Sequence, residues 1–332
     1  MAPASRMPHR DASSRRHEFL ELRAELLERL RQFFRQRDFV EVETPLLLDE
    51  VIPELHIEPI PVAGRWLQAS PELAMKRLLA EGLPAIYQVS RCFRHGEIGR
   101  LHNPEFTMVE WYRTGDDLAS GMELLGELCV DLLAGADCKT TAVGEFRAAQ
   151  RTTYADALAS HAGVDAHGAT PAELAAAARR LRIEPPVDFP EGDCDEWLNL
   201  ILAKAVEPKL GAAGPEILYE YPATQAALAK TRTNGEGVTV AERFELYLRG
   251  VELANGYHEL LDAAALRERL ETVNRQRTAD RRPALPLPEK FLAAHEAGLP
   301  DCCGCALGFD RLAMLASGAE SIADVMAFTW ND

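Results

Sequence analysis

Long apolar runs are missing from this sequence. No stretch approaches the ~18 residues that a membrane-crossing helix needs, so no membrane association is expected. An excess of basic residues is missing too. The formal net charge is −16 over 332 residues, whereas broad binding to a nucleic-acid backbone needs a basic face. The acidity reads as solubility and leaves room for a local basic pocket. A disulfide framework is also lacking: seven cysteines in a chain this long show no such pattern. Cys302 and Cys305 form a C-x-x-C with Cys303 between them, but no second pair at zinc spacing accompanies it. A reducing cytoplasm fits this cysteine usage. Residues 1–16 carry Arg6, Arg10, Arg15 and Arg16 without an apolar core segment, so they read as a disordered leader and not as a secretory signal. No internal repeat is visible.

What is present is the material of a soluble globular protein. Hydrophobic residues make up 47% and charged residues 27%. The length allows one large domain or two ordinary ones. From His17 to Arg37, the spacing of Phe19, Leu22, Leu26, Leu30 and Phe33 predicts an amphipathic helix. Val40 and Val42 alternate with Glu41 and Glu43, a short strand ending at Thr44-Pro45. A second strand is expected over 65–68. Ser70-Pro71-Glu72 opens a helix: a capping hydroxyl, a proline suited to the first turn and a carboxylate that complements the dipole.

Residues 85–94 alternate as a strand. After a loop holding Gly96 and Gly99, the return strand places Phe106, Met108, Glu110 and Tyr112 on one face. Such a hairpin would bring Arg94, Phe106, Glu110 and Tyr112 to a common surface. Residues 116–214 change character: alanine-rich helical stretches dominate, such as 171–181, and the segment reads as a helical insertion. Strands return at 217–221 and 243–253, and Asn255-Gly256 reads as a turn. A charged helix covers 263–278, and 304–309 reads as a strand feeding a helix near Asp310.

Two distant segments read as halves of one ATP site. One contains Arg94 and then His102-Asn103-Pro104-Glu105-Phe106-Thr107-Met108. The other, about 200 residues later, is Gly308-Phe309-Asp310-Arg311. Activating a carboxylate with ATP requires the α-phosphate to be held for in-line attack, the pyrophosphate charge to be offset and the adenine to be fixed. Arginine suits the phosphates because its planar fork binds their oxygens bidentately and stays charged. Mg2+ shares that load and is held by carboxylates. Glu252 and Glu259 flank Asn255-Gly256, so a metal is expected between them. His102 and His258 are read as structural, because adenylation takes no proton from a carboxylate.

The chain resembles a class II aminoacyl-tRNA synthetase catalytic domain of the lysyl type. The resemblance rests on Glu43-Thr44-Pro45, on the Arg94 strand with its Asn103-Pro104-Glu105-Phe106 return, on Glu252-Leu253-Ala254-Asn255-Gly256 and on Gly308-Phe309-Asp310-Arg311. It covers 17–332 and implies an α+β fold: a mostly antiparallel sheet flanked by helices, with a helical insertion. The resemblance implies that Arg94 holds the α-phosphate. Phe106 would stack on adenine, with Arg311 on the other face and reaching the γ-phosphate. Asn103, the loop residues His95, Gly96 and Glu97, and Leu253 and Gly308 would complete the ATP contacts. Glu252 and Glu259 would sit near magnesium. Glu72, with Ser70 beside it, would meet a substrate amino group. Glu110, Tyr112 and Glu259 would grip a terminal ammonium, which needs charge partners when buried. Pairing through the first signature implies a homodimer.

Three departures from the lysyl-tRNA synthetases stand out. No anticodon-binding β-barrel is expected ahead of the catalytic domain, because 1–16 is too short for one. Ala306 stands where those synthetases carry glycine, and its methyl group would crowd an α-amino group and favour a shifted amine. The usual Arg-x-Glu reads Arg94-His95-Gly96-Glu97, displacing the glutamate by one residue. The first two departures match the stand-alone elongation factor P–(R)-β-lysine ligases, which the Trp111-Tyr112-Arg113 and Pro300-Asp301-Cys302 segments also resemble. That family implies adenylation of (R)-β-lysine and transfer to a lysine side chain of elongation factor P. A truncated synthetase charging tRNA is a second expectation, disfavoured by the net charge. A catalytically inactive amino-acid-sensing regulator is a third, disfavoured by the retained arginines and acidic residues.

Overall fold

The fold is described from a computed structural model covering residues 10–134, 146 and 148–332. Helix α1 (Arg10–Arg35) opens the chain and buries Leu26, Leu30, Phe33 and Phe34 along one stripe. Its start at Arg10 corrects the expected leader: 10–16 are helical, and 1–9 lie outside the described residues. Four short strands follow: β1 (Val40–Glu41), β2 (Leu47–Leu48), β3 (Pro61–Val62) and β4 (Arg65–Leu67). Helix α2 (Glu72–Ala80) leads into β5 (Ala85–Phe93) and β6 (Glu105–Thr114), a hairpin with Cys92 opposite Phe106 and Gln88 opposite Glu110.

Helix α3 (Leu118–Ala134) buries Leu125, Leu128, Cys129 and Leu132 in the same core as α1. The insertion expected from 116 therefore starts too early: α3 is part of the main core. Strand β7 (Gln150–Thr153) then joins the sheet edge. Helices α4 (Tyr154–Ala162), α5 (Pro171–Arg180) and α6 (Cys194–Ile201) form a separate hydrophobic cluster against the strands beyond. Thr170 and Glu173 close a capping box at the start of α5, with Pro171 in its first turn.

The second half supplies β8 (Glu216–Pro222), β9 (Thr231–Thr233), β10 (Thr239–Leu248), β11 (Val251–His258), α7 (Ala263–Ala279), α8 (Glu289–Gly298), β12 (Cys302–Gly308) and α9 (Phe309–Ser317). The large sheet runs β1-β5-β6-β12-β11-β10-β8-β7, with β9 on β10. Its interior pairings are antiparallel, and the outermost pairs, β1–β5 and β7–β8, are parallel. The class expected from the sequence, α+β with a mostly antiparallel sheet, is the one found. One face packs on α1, α3 and α9; the other, covered in part by α2, α7 and α8, holds the site.

Asn255-Gly256 is not a turn. The chain reverses at Arg249-Gly250, both with positive φ (52° and 71°), and Asn255-Gly256 lies inside β11. Gly256 is required there by close packing. A Cβ at that position would come within 2.3 Å of the Phe244 ring and 2.9 Å of the Gly304 carbonyl oxygen. Between Leu246 and Tyr247 the β10–β11 register shifts, leaving Leu253 as the extra residue of a bulge. The bulge turns Glu252 to the same face as Asn255 and Tyr257.

Candidate active site

A cavity of about 320 Å³ opens on the face of the sheet that α2, α7 and α8 partly cover. The two-residue period of the strands builds its floor. Phe106, Met108, Glu110 and Tyr112 of β6 point into it, as do Gly304, Ala306 and Gly308 of β12. Val109, Trp111, Cys303, Cys305 and Leu307 alternate into the core on the opposite face. The hairpin expectation for Arg94, Phe106, Glu110 and Tyr112 therefore holds. Cys302, Cys303 and Cys305 are buried strand residues, with thiols pushed up chiefly by burial. Among the described residues no cluster of three or more ligating side chains forms a metal site.

One end of the cavity is cationic. The Arg94 guanidinium lies 5.0 Å from the centroid of the Phe106 ring and 3.7 Å from Glu97. The displaced Glu97 thus still reaches Arg94. Arg311 comes from the first turn of α9. Its Nη1 donates to the Glu252 backbone oxygen at 2.8 Å and lies 3.4 Å from the Glu252 carboxylate, while Nη2 meets His102 Nε2 at 2.8 Å. Burial and the Arg311 charge hold His102 below the usual histidine range. The neighbouring Asp310 turns inward. It pairs with Arg23 of α1 at 2.6 Å and accepts from the Thr107 backbone N–H at 2.7 Å. This buried tie fixes α9 against β6 and aims Arg311 outward. Asn103 lines the same end, with its amide donating to the Glu105 oxygen and accepting from the Trp330 N–H. Leu253 and Gly308 line the cavity; His95 and Gly96 are exposed and do not.

The other end is acidic. Glu110, 1% exposed, accepts from Ser70 Oγ at 2.6 Å and from the Tyr112 hydroxyl at 2.5 Å. Burial, reinforced by Glu72, pushes its carboxyl up to about 8 against those two hydrogen bonds. Burial and the nearby carboxylates also lift the Tyr112 phenol, which stays protonated and donates. Glu72 opens α2, where its N–H donates to Ser70 Oγ at 3.1 Å. Gly304 leaves the room between Tyr112 and Glu259: a Cβ there would sit 2.2 Å from the Tyr112 ring and 2.7 Å from Glu259 Oε1. Ala306 lies across the floor between Glu110 on β6 and Asn255 on β11. Ser70, Glu72, Glu110, Tyr112, Glu259 and Ala306 therefore all meet in one place.

The expected metal pair is corrected. Glu252 lies near the start of β11 and Glu259 just past its end, about 20 Å apart at ~3.3 Å per residue. They cannot share an ion whose oxygen ligands lie at ~2.0–2.6 Å. Glu252 belongs to the cationic end and Glu259 to the acidic end.

Sequence reading missed Lys76. Its ammonium is 2% exposed and bridges Glu72 Oε1 at 2.5 Å and Glu259 Oε2 at 2.6 Å. Burial opposes its charge, but Glu259 and Glu72 outweigh that and hold it above the usual lysine range. Burial likewise pushes Glu259 up to about 7, with the Lys76 ammonium opposing. The available signal was the Glu72–Lys76 spacing of four on a helix, a pattern that usually marks a solvated face. Glu54, in the loop before β3, was also missed. It lines the cavity, and burial together with Glu72 pushes it up to about 7.

The chain matches the family described as tRNA synthetases class II (D, K and N) over residues 5–332. It is 42% identical over 317 residues to proteins named elongation factor P–(R)-β-lysine ligase from Salmonella dublin and Salmonella gallinarum. That alignment covers 92% of this chain and 93% of each relative. A class II fold, two arginines and a carboxylate-lined pocket in one cavity, and this degree of identity agree: the chain belongs to the class II tRNA synthetases of the D, K and N type, in the branch of the elongation factor P–(R)-β-lysine ligases.

Proposed function

We propose that the chain is an ATP-dependent ligase that activates (R)-β-lysine as an adenylate and passes it to a lysine side chain of elongation factor P. The observation that carries this reading is one cavity with Arg94 and Arg311 at one end and Glu72, Glu110 and Glu259 at the other. The first end suits a triphosphate and the second a doubly aminated acid. In the first step a carboxylate oxygen attacks the α-phosphorus, the bond to the β-phosphate breaks and pyrophosphate leaves. Arg94 stabilises charge at the α-phosphate and Arg311 charge further along the chain, both as fixed cations. Phe106 offers a face for the adenine. In the second step a protein lysine amine attacks the acyl carbon, the bond to AMP breaks, and the amine proton leaves to phosphate or water.

Magnesium fits this cavity only at the nucleotide end. Mg2+ keeps several waters and takes one or two carboxylates plus phosphate oxygens. Glu252, beside Arg311, is the carboxylate placed for that, and Glu259 is committed to Lys76. The ion would neutralise phosphate charge as pyrophosphate departs.

No helix among the described residues is long and apolar enough to cross a membrane, and we place the protein in the cytoplasm. A homodimer is supported by exposed Val40 on the edge strand β1 and by exposed Leu46 and Leu47 at β2, apolar side chains that a second copy would cover. Charging of tRNA is the weaker reading, since the net charge is −16 and the relatives carry a protein-ligase name. The test offers the enzyme ATP, (R)-β-lysine and either elongation factor P or tRNA. Acylation of the protein is expected. Acylation of tRNA alone would replace this reading, and diamino-acid binding without any pyrophosphate exchange would favour a regulator.

A further inference from the structure

The acidic end contains a cation of its own, in a place where the proposed substrate must also put cations. We propose that Lys76 is a positioning residue that sets the specificity of this pocket for a doubly aminated acid. It ties down one oxygen each of Glu72 and Glu259 and cancels one of three carboxylate charges. This inference rests on the ligase reading and names how its amino-acid site discriminates.

The geometry divides the carboxylate oxygens. Lys76 takes Oε1 of Glu72 and Oε2 of Glu259. Oε1 of Glu259 faces the space beside Gly304 and Tyr112. One oxygen of each carboxylate is thereby spent on the protein, and the remaining oxygen of Glu259 borders the open space. Lys76 reaches them from the first turns of α2, stacked 5.7 Å from the Tyr112 ring centroid and 5.8 Å from that of Phe291 on α8. His295, also on α8, is buried behind it. Burial and the Lys76 charge hold that imidazole below its usual range, so it adds no second cation.

The charge count follows. Over the groups tied together by hydrogen bonds at this end, Glu72, Glu110 and Glu259 bring three negative charges when ionised and Lys76 brings one positive charge; Glu54, which also lines the cavity, is opposed by Arg94 and Arg243. Two ammonium groups complete neutrality. A single ammonium leaves a buried negative charge, which is expensive and is relieved only by protonating a carboxylate. A lysine inside a lysine-type pocket is therefore a counterweight, fixing how many amines the pocket accepts. The nucleotide end has its own partners, Glu97 and Glu252, and is not part of this count.

The test compares wild type, Lys76→Met and Lys76→Arg, each checked for folding by thermal melting. Binding of (R)-β-lysine and of its analogue lacking the terminal amine is measured by calorimetry, and KM for ATP by pyrophosphate exchange. Lys76→Met is expected to weaken (R)-β-lysine at least tenfold and to narrow the preference over the mono-amino analogue by a similar factor. The KM for ATP should move less than twofold, and Lys76→Arg should recover part of the preference. An unchanged preference in Lys76→Met, or equal losses for ATP and amino acid, overturns the proposal and leaves Lys76 a structural brace. If Lys76→Met does not fold, Lys76→Gln, which keeps a polar side chain but removes the charge, is measured in the same way and read by the same outcomes. Because binding is read directly, wild type that binds the diamino acid without exchange counts against the ligase reading while the Lys76 comparison still stands or falls on affinity. Wild type that binds neither amino acid overturns both.

Discussion

The two ends of the cavity solve opposite electrostatic problems with opposite materials. At the nucleotide end the guanidinium charges are permanent and their ion pairs are long: Arg94 is 3.7 Å from Glu97, and Arg311 is 3.4 Å from the Glu252 carboxylate, its shorter bonds going to neutral acceptors. At the amino-acid end the charges are titratable and tightly partnered. Glu110 and Glu259 are 1% exposed, with bonds of 2.5–2.6 Å to Ser70, Tyr112 and Lys76. A guanidinium keeps its charge at any working pH and can release a weak partner to take a phosphate. A buried carboxyl near its titration point must lose a proton to accept an ammonium. One end therefore responds to ligand by rearrangement and the other by ionisation.

That contrast is broken most severely by removing a guanidinium. Arg94→Ala should lower diamino-acid-dependent pyrophosphate exchange by about 10²–10³-fold, the size of losing a donor aimed at developing charge. Near-normal exchange would remove Arg94 from the chemistry. Next in size, Glu110→Gln should raise KM for the diamino acid roughly 100-fold, as for truncating one partner of a buried charge pair. Its KM for ATP should stay within twofold; a parallel rise in both would show that the two ends are not separable.

The pH response sharpens the comparison further. Glu110 titrates at about 8 in the ligand-free protein, and ammonium binds its carboxylate form. Below that pH each binding event expels a proton from Glu110, and below about 7 Glu259 adds to it, so KM for the diamino acid should fall more than tenfold per unit as pH rises from 6 towards 7, about tenfold from there towards 8, and then level off. KM for ATP should lack this slope. A flat amino-acid profile would mean that Glu110 is already ionised in the empty site. The smallest effect is expected at Ala306, whose methyl group lies on the cavity floor between Glu110 and Asn255. Ala306→Gly should raise the use of α-lysine relative to (R)-β-lysine by roughly tenfold, within the range for one carbon in a snug pocket. Unchanged selectivity would remove Ala306 from substrate choice.

Strand periodicity carried most of what could be read without coordinates. Phe106, Glu110 and Tyr112 share a face because side chains alternate, and that rule needs no tertiary knowledge. Asn255-Gly256 misled because a local turn signature was overridden by packing: Phe244 and the Gly304 carbonyl demand a residue without a side chain. The same misreading produced the metal pair, since Glu252 and Glu259 converge only if a turn lies between them. By composition α3 reads as part of the insertion, although its apolar stripe meets α1 in the main core. Lys76 was illegible for a different reason. A glutamate and a lysine four apart on a helix look solvated until Glu259, 183 residues later, closes over them.

The most direct test of the central claim is ATP–pyrophosphate exchange stimulated by (R)-β-lysine, compared with analogues lacking one or the other amine. The two-ended cavity predicts robust exchange with the doubly aminated acid and at least about 100-fold less with either mono-amino analogue, because a buried carboxylate is then left unpaired. Equal stimulation by all three would contradict it.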